Sequence, residues 1–116
     1  MAHTHVVYGW SVYTTTQRRD RVANRARTAA TNNGFLPSLR IPGYEPGGVI
    51  TYNWTAPTPS PDVNVFAGQT YPAVRLCYET NDKALADAAD AEIQSEMESQ
   101  GWIQGSHGVW TDNSDG

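Results

Sequence analysis

The residues of this 116-residue chain that could do chemistry are few: His3, His5, His107, a lone Cys77, and five arginines between positions 18 and 27. His3 and His5 are two apart, so on a strand both side chains point to one side, as chelation by a pair would require. A zinc or iron site takes three or four ligands with hydrogen-bonding partners behind them. His107 reads as part of a glycine-flanked turn, and no carboxylate stands at a spacing that completes the set. The pair therefore reads as the polar start of an exposed strand, with no metal site expected. Cys77 shares a strand face with Arg75, which could lower its thiol pKa. No histidine is near it in sequence, so packing is the simpler role. G-x-S-x-G, P-loop and G-x-G-x-x-G patterns are all absent. No catalytic residues and no cofactor are expected.

The arginines carry more information. Net charge is −4, but residues 1–60 hold six arginines against Asp20 and Glu45, a net +4, and residues 61–116 carry −8. Arg18, Arg21 and Arg25 fall on one stripe of a predicted helix, with Arg27 elsewhere on its exposed side. Such a stripe could neutralise three or four phosphates. An acidic pI near 5.1, the absence of lysine support and the absence of basic residues interleaved with aromatics argue against nucleic acid. The better complement is in the chain itself. A second predicted helix carries Asp87, Asp90, Glu92, Glu96 and Glu98 against Lys83. Basic and acidic helices side by side can compensate within a subunit or pair between subunits, which sets register and partner choice.

The elements that must position these groups follow from periodicity. Residues 3–15 alternate as a strand, with Val6, Tyr8, Trp10 and Val12 on one face and His5, Val7, Gly9, Ser11 and Tyr13 on the other. The threonines 14–16 offer an N-cap, with Thr14 and Gln17 at capping-box spacing. The helix predicted over 16–31 has a core stripe of small residues, Val22, Ala23, Ala26, Ala29 and Ala30, and Asn32-Asn33-Gly34 stops it. Residues 35–48 form a connection. Strands are expected over 49–55, with Ile50, Tyr52 and Trp54 on one face, and over 70–79, with Val74, Leu76 and Tyr78 inward and Pro72 suggesting an edge. The tyrosines and tryptophans at alternating strand positions are read as core packing.

Between those strands, residues 56–68 (APTPSPDVNVFAG) read as an extended loop or projecting arm, with Val65 and Phe66 as anchors for a neighbour's pocket. Asn81 or Asp82 caps a helix over 82–100 whose stripe is Leu85, Ala89, Ile93 and Met97. Gly101 closes that helix in Schellman fashion, with Trp102 over its last turn. The tail forms a short hairpin or a fourth strand and frays over 112–116. The expectation is one α+β domain over 1–116, in the order β-α-β-β-α-β. Its antiparallel sheet carries both helices on one face, the ferredoxin-like arrangement.

A charged leader before an apolar stretch is not seen, and no apolar run reaches the roughly 18 residues of a membrane span. A soluble chain made in the cytoplasm, with no membrane contact, is expected. The strand HVVYGWSVYTT, the arginine- and alanine-rich helix and the helix-Gly-Trp-hairpin ending over 97–111 resemble small virion proteins of tailed phages of high-GC bacteria. That resemblance lies in overall pattern and assigns no site residues. It implies a non-catalytic capsid, head–tail junction or tail component. Together these features point to an assembly protein that docks onto itself and other assembly proteins through Arg18, Arg21, Arg25, Arg27, Asp87, Asp90, Glu92, Glu96, Val65 and Phe66. Two alternatives stand beside it. One is a ligand-binding protein or enzyme similar to dimeric α/β-barrel proteins, with His5, Ser11 and Arg75 around a cleft. The other is a nucleic-acid regulator using the arginine helix.

Overall fold

A computed structural model describes residues 4–32, 35–37, 48–56 and 68–112. Their order is β1 (Thr4–Val12), α1 (Thr16–Asn32), β2 (Leu36–Pro37), β3 (Val49–Thr55), β4 (Thr70–Thr80), α2 (Lys83–Ser99) and β5 (Gln104–Asp112). All pairings are antiparallel. β4 lies between β1 and β3, and β5 closes the far side of β1. The two-residue β2 pairs with Tyr78 and Glu79, continuing the edge of β4 that β3 occupies. The spatial order β3-β4-β1-β5, with a helix in each crossover, is the ferredoxin-like split β-α-β arrangement.

Both helices cover one face of the sheet, α1 over β3 and β4 and α2 over β1 and β5. Val7, Val74, Leu76, Tyr78 and Val49 from the strands meet Val22, Ala23, Ala26, Ala30, Ala86, Ala89, Ile93 and Met97 from the helices. The alanines let α1 sit low on the sheet. Gly9 does the same for α2, since a Cβ there would lie 2.8 Å from Met97 Cε and 3.1 Å from Leu76 Cγ. α2 starts at Asp82, whose Oδ1 accepts from the Ala84 and Leu85 amides at 2.9 and 3.3 Å. It ends in the expected Schellman turn, with Gly101 at φ +71°, Trp102 N–H on Met97 O and Gly101 N–H on Glu98 O.

Several expectations are corrected. Thr15, not Thr14, caps α1, accepting from the Arg18 amide at 3.3 Å. Ala86 replaces Leu85 in the buried stripe of α2, and Leu85 is exposed. β4 is central despite Pro72. The partner of Pro72 is Tyr13, one residue beyond the end of β1, so the missing N–H falls at the margin of the ladder. Of the two forms expected for the chain after Gly101, the strand is the one present, but His107 lies in its middle rather than in a turn. Its glycines give room to rings: Trp102 covers Gly105, and the Tyr8 ring lies against Gly108. Residues 57–67, with Val65 and Phe66, and the tail 113–116 lie outside the described residues.

Candidate interaction surfaces

The two helices run antiparallel, and the predicted charge pairing is formed in part inside the chain. Arg25 Nη2 meets Glu92 Oε1 at 2.5 Å. Arg18 Nη1 donates to the carbonyl of Gln100 at the end of α2, 3.0 Å away. The other members go elsewhere. Asp87 pairs with Lys83 at 2.8 Å along α2, and Asp90 meets His107 Nδ1 at 2.8 Å on β5. Arg27 donates to Asn24 Oδ1 at 3.3 Å. Glu96 accepts from the Gln100 amide group at 3.2 Å. Arg21 lines an open groove of about 540 Å³ with Thr15, Gln17, Arg18, Ser99 and Gln100. The basic stripe is thus divided: Arg18 and Arg25 face the acidic helix, and Arg21 and Arg27 face solvent.

The sheet face opposite the helices was missed as a surface by sequence reasoning. Register places Tyr8 and Trp10 of β1, Ile50, Tyr52 and Trp54 of β3, Arg75 of β4 and Trp110 of β5 on it together. Trp10 Nε1–H donates to the Tyr52 hydroxyl at 2.5 Å. Trp10 and Trp54 meet edge to face, with centroids 5.4 Å apart, and Tyr8 tilts against Trp110 at 5.8 Å. Beneath this layer Val6, Val12, Ala73 and Cys77 are fully buried. The rings above are half-exposed, and Trp110 retains 36% of its surface in solvent. These residues are therefore not the core that alternation suggested. The signal lay in β1 and β4, where both faces carry apolar residues and the two helices cover only one of them. Arg75 stands between Trp10 and Ile50, so one basic side chain is interleaved with aromatics after all.

The residues considered for other chemistry do not converge. Ser11 and His5 are on the helix side and Arg75 is on the opposite one, so the cleft of the ligand-binding alternative is not assembled from them. Ser11 is fully buried and accepts from the Tyr13 hydroxyl at 2.8 Å. Burial pushes the Tyr13 hydroxyl pKa upward, against the Ser11 hydrogen bond, with Glu96 adding to the rise. Tyr52 is raised for the same first reason, with the Trp10 hydrogen bond and the Arg75 charge opposing it. His5 Nδ1 meets Thr111 Oγ1 at 3.0 Å. Among the described residues no group of three His, Cys, Asp or Glu is placed to hold a metal, and no helix is long and apolar enough to cross a membrane.

The sequence matches no protein-family model, and no curated protein matches it closely.

Proposed function

We propose that this chain is a non-catalytic assembly protein, present in many copies and docking onto copies of itself and onto other proteins of a larger particle. The observation that carries this reading is the aromatic layer on the helix-free face. Tyr8, Trp10, Ile50, Tyr52, Trp54 and Trp110 sit side by side with partial exposure. Large aromatics held rigid by one another present contact area at little cost in side-chain entropy, and they are enriched at protein interfaces. Among the described residues the register puts only Arg75, Glu79 and Asp112 of the charged residues on this face, a net −1. That favours a protein partner over the phosphate backbone of nucleic acid.

The particle implied by the resemblance of the opening strand, the arginine helix and the Gly101-Trp102 ending is the virion of a tailed phage, in its capsid, head–tail junction or tail. The solvent-facing arginines Arg21 and Arg27 supply charge for orientation, while Arg18 and Arg25 serve the helix pair. Sedimentation velocity of the full chain over a range of concentrations tests the reading. Self-association should appear, and Trp110→Asp, at an exposed position, should weaken it while leaving the circular dichroism spectrum unchanged. A chain that stays monomeric throughout, and is absent from purified particles by mass spectrometry, would overturn it.

A further inference from the structure

The sheet has two edges, and their backbone chemistry is complementary. Tyr13 N–H donates to Pro72 O. By antiparallel alternation, residues 5, 7, 9 and 11 then turn their backbone groups to β4, and residues 6, 8, 10 and 12 turn theirs to β5. On β5 the groups of Gly105, His107, Val109 and Thr111 are left facing outward. On the other side Cys77 N–H donates to Gly48 O and Ala56 N–H to Gln69 O. The outward groups of β3 are therefore those of Val49, Thr51, Asn53 and Thr55. Among the described residues neither row has a strand partner.

Because β3-β4-β1-β5 is a four-strand antiparallel run, its two edge strands point in opposite directions. Their outward-bonding residues also carry side chains on the same, helix-covered face. A second copy set alongside the first therefore meets it with β5 antiparallel to β3, hydrogen bonds in phase and helices on the same side. An odd number of strands would meet neither condition. The helix layer repeats as well: four strands at about 4.8 Å span roughly 19 Å, the width of two helices packed about 10 Å apart.

Charge agrees with this order. The outer flank of α2, marked by the Asp90–His107 contact, carries Lys83, Asp87, Asp90 and Glu98, a net −2. The outer flank of α1, marked by Arg19 Nη1 on Tyr52 O at 3.2 Å, carries Arg19, Asp20 and Arg27, a net +1. Joining β5 to β3 sets acidic α2 beside basic α1, whereas joining β5 to a second β5 sets two acidic helices together. β5 also lacks the Lys and Pro residues that commonly guard an edge strand.

We propose that copies of this chain join head to tail through β5 of one and β3 of the next, forming a continuous antiparallel sheet. The proposal rests on the assembly reading and gives it a partner and a register. Pairing all four outward residues of each edge sets Val49 opposite Thr111, Thr51 opposite Val109, Asn53 opposite His107 and Thr55 opposite Gly105. The same register brings exposed Trp110 beside Ile50 of the neighbour, so the aromatic layer runs on across the joint. A head-to-tail contact closes into a ring or extends as a filament according to the rotation per copy.

Two single substitutions test it. Val109→Pro removes an outward donor of β5, and Asn53→Pro removes one of β3, neither breaking a hydrogen bond inside the sheet. Sedimentation should show loss of self-association by each variant alone and a mixture that forms a one-to-one dimer and stops there. Self-association of Asn53→Pro alone would overturn the proposal in favour of β5–β5 pairing. Assembly of both variants like the unmodified chain would overturn it while leaving the assembly reading in place. A monomeric unmodified chain would overturn both. If either variant unfolds, hydrogen exchange on the unmodified chain decides. The amides of residues 49, 51, 53, 55, 105, 107, 109 and 111 should slow as concentration rises, and unchanged exchange there refutes the joint.

Discussion

The two faces of the sheet are built from the same four strands but filled by different rules. On the helix side most residues are aliphatic or small, Tyr13 and Tyr78 being the large exceptions, and Val7, Val74, Leu76, Ile93, Met97 and both tyrosines are all at 1% exposure or less. On the other side half-exposed rings, propped against one another by an edge-to-face contact and the Trp10–Tyr52 hydrogen bond, stand over the small and fully buried Val6, Val12, Ala73 and Cys77. Helices can cover the first face because Gly9 and the alanines of α1 permit close approach. They leave the second to find its own cover. The difference is one of cover: the helices close one face, and the other keeps part of its ring surface in solvent.

The sharpest way to break this division is to truncate matched side chains on each face. Ile93→Ala should cost about 2–5 kcal/mol by urea denaturation, because it opens a cavity in a packed layer. Trp110→Ser should cost no more than about 1 kcal/mol, as exposed positions do. Equal costs would mean that the aromatic face is a second core. Gly9→Val probes the close approach from the other direction. The added side chain would meet Met97 and Leu76, with a loss of about 1–3 kcal/mol, and chemical denaturation reads it directly.

Alkaline titration compares the faces through one tyrosine on each, Tyr13 buried and Tyr52 half-exposed. Tyr13 and Tyr52 both have raised folded pKa values. Well below pH 10 both hydroxyls are protonated in the folded and unfolded chain alike. As pH rises past 10 the unfolded chain loses these protons first, so stability falls with rising pH. Melting temperature should drop over that range, and Tyr13→Phe should flatten the drop more than Tyr52→Phe. The smallest effect belongs to the Arg25–Glu92 pair, whose side chains are 52% and 37% exposed. A double-mutant cycle should give a coupling below about 1 kcal/mol that weakens with added salt.

Much of the architecture was legible in the sequence. Alternation marked the strands, the 3.6-residue stripe marked the helices, and Asp82 and Gly101 marked the ends of α2 by their capping chemistry. Pro72 and the Gly105–Gly108 spacing misled for local reasons. The proline sits where its lost donor matters little, and the glycines that resemble a turn instead make room for Trp102 and Tyr8. Leu85 and Ala86 are consecutive, about 100° apart around the helix, and each borders the stripe of Ala89, Ile93 and Met97, so only the packing geometry shows which faces the sheet. The charge pairing of α1 and α2 was readable in outline, as Arg25–Glu92 attests. Its division into arginines turned inward and arginines turned outward depends on helix rotation, which composition does not carry. The aromatic face stayed hidden because alternation says which residues share a face and not which face the helices choose.

The central claim is that this chain is built to associate, and native mass spectrometry of the full chain with increasing concentration tests it most directly. The unmodified chain should give a growing series of oligomers, and Trp110→Asp should collapse it toward monomer. A single monomer peak at every concentration, for a folded chain, would contradict it.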